Sequence, residues 1–183
     1  MENYNNFDII IYTDGSCKNN GSENSVGGWS FVILFDDFKK EIQSSGFVES
    51  TTNQRMELQP IIEALQEIKL RWSEISSKKI IIFSDAQYVI KGANEWMFNW
   101  QKKGWRRTSG YTNGKPSKKS IVKHLDLWQT LYDLVAIYHP TFKWVKGHDN
   151  LKYNVLCDTL ARQASHNKIT THRVIRHAEA VHP

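Results

Sequence analysis

Two runs of β-branched residues, each ending on an aspartate, constrain the fold of this chain more than any other feature. The first run is IIIYTDGSC and the second is KKIIIFSD. Such runs are typical of buried strands. The predicted strands Ile9–Thr13 and Ile80–Ser84 therefore end in Asp14 and Asp85. If the two strands are neighbours, these carboxylates meet at one edge of a sheet, where α/β proteins place their sites.

The rest of the pattern predicts three more strands and several helices. GGWSFVILF and KKEIQSSGF are typical of strands joined by a turn at DDFKK, and PTFKWVKGH is typical of a last strand. Apolar spacing predicts a long helix from Asn53 with Thr51 or Thr52 as its N-cap, two short helices divided at Gly92, and two later helices. We expect an α/β fold with a five-stranded mixed sheet flanked by helices. Its first three strands are antiparallel, and the last two are parallel to the first.

The composition is that of an ordinary globular chain. Of its 183 residues 40% are hydrophobic, and no apolar run approaches the roughly 20 residues of a transmembrane helix. The start, MENYNNFD, lacks the pattern of a secretory signal. We therefore expect one domain in the cytoplasm, with no membrane contact and with Cys17 and Cys157 reduced.

Positive charge is concentrated in one stretch. The formal net charge is +5, and the segment from Trp100 to His124 is rich in Lys and Arg and contains no Asp or Glu. Such a run is compatible with a solvated loop, whereas Trp100 and Trp105 among the cations favour a nucleic-acid surface. Composition alone leaves both interpretations open.

Four acidic residues have competing explanations. Besides Asp14 and Asp85, Glu57 lies one turn into the first long helix, and Asp158 lies near the start of the last one. Singly, each fits a turn, a helix cap or a helix N-terminus. Gathered together they would repel one another unless cations neutralised them, and oxygen ligands without Cys or His select Mg²⁺ or Mn²⁺. Two such ions about 4 Å apart promote in-line displacement at phosphorus.

Five motifs of this chain resemble the type I ribonuclease H family. They are YTDGSC, TTNQRMEL, SDAQYVI, WVKGH and NVLCDTLAR, in the family's order and spacing, from about Phe7 to Gln163. NEWMFNWQKKGWR followed by HLDLWQTL is similar to the family's basic protrusion, around 94–124. The resemblance implies a ribonuclease H-like catalytic domain over 1–168 without a separate N-terminal hybrid-binding module. The tail 169–183 has no counterpart in the family, and we expect it to be flexible.

The resemblance also implies a reaction. The family cuts the RNA strand of RNA–DNA hybrids with little sequence preference, and its members are usually monomers. Asp14, Glu57, Asp85 and Asp158 are implied to hold two Mg²⁺ ions, for which Mn²⁺ substitutes, with Asp14 bridging them. One ion activates the attacking water and the other stabilises the leaving 3′ oxygen, which gives a 5′-phosphate and a 3′-hydroxyl. His148, on a loop after the last strand, resembles the family's mobile proton carrier.

The contacts with the hybrid are implied by the same resemblance. Amides suit a 2′-hydroxyl because they both donate and accept hydrogen bonds, and cations suit phosphates. The implied contacts with the minor groove or RNA backbone are Gly15, Cys17, Asn20, Asn53, Gln54 and Gln87. The implied contacts with the DNA strand are Trp96, Trp100, Trp105, Lys102, Lys103, Arg106 and Arg107, with Thr52 and His124 in a phosphate pocket. Asn154 keeps the family's spacing to His148 and Asp158 and is included among the substrate contacts.

Structural roles are alternatives for several of these residues. Turn formation or helix capping would explain Asn20 and Asn53, and core packing would explain Trp96 and Trp100. His124 stands where the family usually has an asparagine, so phosphate affinity there is expected to depend on pH. The loop DNLKYN also lacks the glycine and proline often found at its position.

Two other functions fit a fold of this kind. One is a strand-transfer or DNA-cutting domain of the integrase type, and the other is a hybrid-binding module without catalysis. The amide set and the basic protrusion argue against the first, and the presence of all four acids argues against the second. The sequence favours a Mg²⁺-dependent endoribonuclease.

Overall fold

The computed structural model describes residues 4, 6–35, 39–71, 78–108, 111–112, 115–116, 119–147 and 151–176. The turn expected at DDFKK lies largely outside these residues. In chain order the elements are β1 (Ile9–Lys18), β2 (Val26–Phe35), β3 (Lys40–Glu49), α1 (Asn53–Arg71), β4 (Ile80–Ser84), α2 (Gln87–Lys91), a π-helical segment (Gly92–Trp96), α3 (Met97–Lys102), β5 (Arg106–Thr108), β6 (Tyr111–Thr112), β7 (Lys115–Pro116), β8 (Lys119–Ile121), α4 (Leu125–Tyr138), β9 (Thr141–Trp144), α5 (Lys152–Asn167) and β10 (Thr171–Arg176).

The main sheet has the strand order β10-β3-β2-β1-β4-β9. β1, β2 and β3 pair antiparallel, whereas β4 pairs parallel to β1 and β9 pairs parallel to β4. The predicted α/β class, the antiparallel first three strands and the two parallel strands are therefore confirmed. Two small sheets, β5-β8 and β6-β7, lie within the basic segment.

A sixth strand corrects the expected strand count of five. β10 pairs antiparallel with β3 from Thr171↔Ser45 to Arg176↔Lys40, so the expectation of a flexible tail is wrong for residues 171–176. The backbone ladder and a hydroxyl contact of 2.9 Å between Ser45 and Thr171 hold this edge strand. Most of its side chains are exposed, so it has no apolar period that the sequence could reveal. Residues 177–183 lie outside the described part of the chain.

Helices cover both faces of the sheet. Ile9 and Ile11 of β1 face the core that α1 and α4 complete, whereas Ile10 faces a smaller core that includes Cys157 of α5. Alternate residues of a strand point to opposite faces, so β1 is apolar on both sides and reads as a continuous run. In the described ranges no helix is long and apolar enough to span a bilayer.

Gly92 does not divide two helices, contrary to the sequence prediction. Its backbone is right-handed helical, and α2, the π-helical segment and α3 follow one another without a break. A Cβ at Gly92 would lie 2.1 Å from Cη2 of Trp128, which is fully buried in α4. The close approach of this indole therefore explains the glycine. The sequence prediction treated Gly92 as a helix breaker and could not include this contact.

Candidate active site

Asp14 and Asp85 lie side by side at the edge where the parallel strands end. The last pair of the β1–β4 ladder is Tyr12↔Phe83, and each aspartate stands two residues beyond its member of that pair. β1 itself continues past Asp14 to Lys18 because it still pairs with β2, which corrects the predicted strand end at Thr13. β4 ends at Ser84, just before Asp85. Both aspartates therefore lie just beyond the point where β1 and β4 stop pairing.

Glu57 reaches this edge from the first turns of α1. A Cβ on Gly15 would lie 2.1 Å from the carbonyl oxygen of Met56, so the glycine lets the backbone of α1 approach β1. The side-chain amide of Asn53 donates to Oε1 of Glu57 at 2.6 Å. This hydrogen bond fixes the carboxylate one helical turn after the start of α1.

Asp158 reaches the same edge from α5, on the other face of the sheet. The hydroxyl of Ser30 donates to the carbonyl oxygen of Cys157 at 2.7 Å, and the Cys157 thiol donates to the carbonyl oxygen of Tyr12 at 3.3 Å. These bonds dock α5 on β1 and β2 next to Asp158, whose Oδ1 is 2.7 Å from Nε of Arg162. Cys157, like Cys17, is a free thiol.

The four carboxylates influence one another electrostatically. Burial raises the pKa of Asp14 to about 8, with further repulsion from Asp85, Asp158 and Glu57, against the opposing hydrogen bond from the Gly15 N–H. Burial and Asp85 raise the pKa of Glu57 to about 7, against the hydrogen bond from Asn53. Burial and the neighbouring negative charges therefore both disfavour the ionised form of these two carboxyl groups.

The donor set fits hard divalent cations. All four side chains offer carboxylate oxygens, which Mg²⁺ and Mn²⁺ prefer, and a cation would relieve the repulsion that raises the pKa of Asp14. Within the residues that the structure describes, no three His, Cys, Asp or Glu side chains lie close enough together to hold an ion as they stand. The edge therefore has the right chemistry and location for metal ions.

The end of β9 and the residues that follow it pack against Asp85. The indole N–H of Trp144 donates to the carbonyl oxygen of Asp85 at 2.9 Å, and a Cβ on Gly147 would lie 2.6 Å from Asp85 Oδ2. Trp144 therefore holds the backbone of Asp85, and the absence of a side chain at Gly147 leaves room for the Asp85 carboxylate. His148, the expected proton carrier, lies outside the described residues.

The residues around the start of α1 have structural partners. Asn20 Oδ1 accepts from the backbone N–H of Asn53 at 2.9 Å, and Thr52 Oγ1 accepts from that of Arg55 at 3.4 Å. Thr52 rather than Thr51 is therefore the N-cap, and Asn20 caps the same helix end. Cys17 Sγ lies 3.8 Å from the carbonyl oxygen of Thr51. Gln87 starts α2 and is exposed.

A cleft of about 380 Å³ lies between these helices and the basic segment. The rings of Trp96 and Trp100 lie 5.7 Å apart, as their four-residue spacing predicts, and both line the cleft. Trp100 also packs edge-on against Trp128 of the core at 5.3 Å, whereas Trp96 contacts Tyr88 at 6.0 Å. The cleft is lined by Gln54, Tyr88, Trp96, Trp100, Arg107, Val122 and Lys123.

Other predicted contacts of the basic segment lie outside this lining. Trp105 packs against Tyr132 of α4 with its ring at 5.8 Å, and Lys102 and Lys103 are exposed near the end of α3. Arg106 is exposed as well, but its neighbour Arg107 is the arginine of β5 that lines the cleft. Neighbouring residues of a strand point to opposite sides, which explains why only one of them does.

His124 contacts Gln54, one of the residues that line the cleft. Nε2 of His124 lies 3.3 Å from Oε1 of Gln54. Burial and the nearby Arg55 lower the pKa of His124, so the imidazole is mainly neutral at pH 7. His124 also has a positive φ of 56°, an uncommon conformation for a residue with a Cβ, at the start of α4.

Asn154, a predicted substrate contact, lies inside the protein. It is buried in the first turn of α5, and its Oδ1 has no hydrogen-bond partner among the described residues. Its sequence spacing to Asp158 could not reveal this burial. Three residues that border the site were missed, namely Tyr88, Lys123 and Arg162. The only signal for Arg162 was its four-residue spacing from Asp158, which brings two side chains together on a helix.

Comparisons with known proteins agree with this architecture. The RNase H family model matches residues 6–166. Ribonuclease H of Treponema denticola is 39% identical over 165 residues, which cover 85% of this chain and 96% of the relative. Ribonuclease H of Ruthia magnifica is 41% identical over 163 residues, which cover 89% and 98%.

Solved structures share the fold at lower identity. The crystal structure of LC9-RNase H1, a type 1 RNase H with the type 2 active-site motif, has a TM-score of 0.75 and 23% identity, and covers 93% of this chain and 77% of that one. LC11-RNase H1 in complex with RNA/DNA hybrid has a TM-score of 0.60 and 18% identity, and covers 87% and 97%. Fold and relatives together define an endonuclease, a hydrolytic enzyme. The chain belongs to the RNase H family.

Proposed function

We propose that this protein hydrolyses the RNA strand of RNA–DNA hybrids, with little sequence preference and as a monomer. The observation that carries the proposal is the mutual repulsion of four carboxylates from β1, α1, the end of β4 and α5, which adds to burial in raising the pKa of Asp14 to about 8. Family membership and the LC11-RNase H1 complex with RNA/DNA hybrid support the substrate.

Asp14, Glu57, Asp85 and Asp158 would hold two Mg²⁺ ions, or Mn²⁺ in their place. When bound, the ions supply activation of the attacking water and stabilisation of the leaving 3′ oxygen, so that the products carry a 5′-phosphate and a 3′-hydroxyl. The protein's own contribution would be to position the ligands. The β1–β4 ladder orients Asp14 and Asp85, the Asn53 amide holds Glu57, and the docking of α5 brings Asp158 to the sheet. His148 is assigned to proton transfer on its place in the WVKGH motif.

The cleft would hold the DNA strand beside the acids. Trp96 and Trp100 offer faces for sugars and bases, and Arg107 and Lys123 offer cations for phosphates. Asn20, Asn53 and Gln87 would read the minor groove, where an amide recognises a 2′-hydroxyl as both donor and acceptor. The capping bond of Asn20 and the bond from Asn53 to Glu57 leave part of each amide available, because an amide has both an acceptor oxygen and two donor hydrogens.

One assay tests the proposal. A labelled RNA–DNA hybrid, duplex DNA and duplex RNA are incubated with the protein in Mg²⁺ or in chelator. We expect cleavage of the RNA in the hybrid alone, with 5′-phosphate ends, and none in chelator. Asp14→Asn should lose turnover and still bind the hybrid. Cleavage of duplex DNA, or full activity in chelator, would contradict the proposal.

A further inference from the structure

Asp158 differs from Asp14 and Glu57 in the kind of partner that it has. Asp14 accepts from the Gly15 N–H and Glu57 accepts from the Asn53 amide, and both donors are neutral. Asp158 instead forms an ion pair with Arg162, one turn further along α5, at 2.7 Å from Oδ1 to Nε. The Asp158 side chain is 25% exposed and that of Arg162 is 59% exposed, so the ion pair is accessible to solvent.

This ion pair has a direct consequence for a divalent cation. A guanidinium and a metal ion both bind carboxylate oxygens, so each favours a different placement of the Asp158 side chain. Arg162 also adds a positive charge next to a site that would receive Mg²⁺. The Asp158–Arg162 ion pair therefore places a competitor for the metal directly on one of the four carboxylates.

We propose that Arg162 is a positioning residue that holds Asp158 in a metal-free arrangement and releases it when Mg²⁺ binds. The inference rests on the proposed function, since it assumes that Asp158 is a metal ligand. Because Arg162 competes for Asp158, a higher Mg²⁺ concentration is needed before Mg²⁺ binds to the four carboxylates.

The exposure of the pair sets the size of the effect. Solvent-exposed ion pairs on helices are weak, so a metal ion displaces Arg162 readily. Removing the guanidinium should tighten Mg²⁺ binding about two- to fivefold. His166 stands a further turn along α5 and lies 2.8 Å from Nζ of Lys18, so it does not replace Arg162 beside Asp158.

The test is a Mg²⁺ titration of the full chain without nucleic acid, followed by the backbone amide NMR signals of Asp14 and Asp158. Arg162→Gln keeps a good helix former on an exposed helix surface, so the variant should fold. Lys168→Gln is the matched control. It removes one exposed cation and one ion pair, that of Lys168 with Glu49 at 2.6 Å, at the far end of the same helix.

Support requires a Mg²⁺ dissociation constant two- to fivefold lower in Arg162→Gln and unchanged in Lys168→Gln. Arg162→Lys should fall between wild type and Arg162→Gln, because Lys keeps the charge without the planar fork. An unchanged or weaker Mg²⁺ affinity in Arg162→Gln, or an equal gain in Lys168→Gln, overturns the inference. In either case wild-type cleavage of the hybrid in Mg²⁺ would leave the proposed function standing. A wild type that neither responds to Mg²⁺ at Asp14 nor cleaves the hybrid would contradict the proposed function itself.

Discussion

Replacing Asp14 with Asn should stabilise the metal-free protein while abolishing its activity. The pKa of Asp14 rises from 3.8 in an unstructured chain to about 8 in the fold, chiefly by burial and by repulsion from Asp85. A carboxyl of this kind binds its proton more tightly in the folded chain than in the unfolded chain. Above pH 4 the free energy of unfolding therefore falls as pH rises, until the folded carboxyl itself ionises near pH 8.

The size of the gain follows from this shift. One pKa unit corresponds to about 1.4 kcal/mol, so the full shift would amount to roughly 6 kcal/mol above pH 8. Asn is still a buried polar group, and the three remaining carboxylates relax around it. We therefore expect Asp14→Asn to raise the free energy of unfolding by about 2–4 kcal/mol at pH 8.5. Near pH 4 the gain should vanish, because Asn and a protonated carboxyl are close in shape and polarity.

Urea denaturation in chelator from pH 4.5 to 9 measures this difference. Asp133→Asn is the matched control, because Asp133 is exposed on α4. Its free energy of unfolding should change by less than about 0.5 kcal/mol across the range. Destabilisation by Asp14→Asn at pH 8.5, or a gain that does not depend on pH, would refute the electrostatic explanation.

Three further predictions follow from particular contacts. Gly92→Ala should lower the free energy of unfolding, measured by urea denaturation, by about 1–3 kcal/mol. The overlap of the new Cβ with Trp128 outweighs a helix-propensity gain of about 1 kcal/mol. In a Trp128→Phe background the same substitution should be neutral or stabilising. Gly147→Ala should weaken Mg²⁺ binding, measured by titration, because its Cβ would displace the Asp85 carboxylate. Arg107→Gln should weaken hybrid binding and reduce the salt dependence of the binding constant by about one ion.

Each of these predictions has an outcome that would contradict it. The same loss from Gly92→Ala in both backgrounds would mean that Trp128 is not the obstacle. Unchanged Mg²⁺ affinity in Gly147→Ala would show that the added Cβ does not disturb the position of the Asp85 carboxylate. For the cleft, Lys69→Gln is the control because Lys69 is exposed in the last turn of α1 and does not line the cleft. An equal change in salt dependence for Lys69→Gln and Arg107→Gln would assign the effect to net charge rather than to the cleft.

The sequence predicted the part of the fold that strong local signals encode. The two β-branched runs, each ending on an aspartate, identified β1 and β4, and their parallel pairing brings Asp14 and Asp85 together. Helical spacing identified α1 and α5, which carry the other two acids. These signals are local because the strand and helix periods are properties of short segments.

Features that depend on tertiary contacts escaped the sequence. β10 is held by a backbone ladder along β3 and exposes most of its side chains, so it leaves no apolar pattern. The sequence suggested a helix boundary at Gly92. The glycine is instead required by the packing of Trp128, a residue far along the chain. Arg106 and Arg107 lie on opposite sides of β5. Which side faces the cleft depends on how the strand pairs, and the sequence does not show this. The burial of Asn154 likewise depends on how α5 docks.

The most direct test of the account asks whether one pair of ions touches all four acids. Mn²⁺ added to the protein broadens nearby amide NMR signals. We predict that sub-stoichiometric Mn²⁺ removes the signals of Asp14, Glu57, Asp85 and Asp158 together, while Leu70, about 20 Å further along α1 by helical rise, stays sharp. A sharp signal at any of the four acids, or broadening centred elsewhere, would contradict a shared metal site.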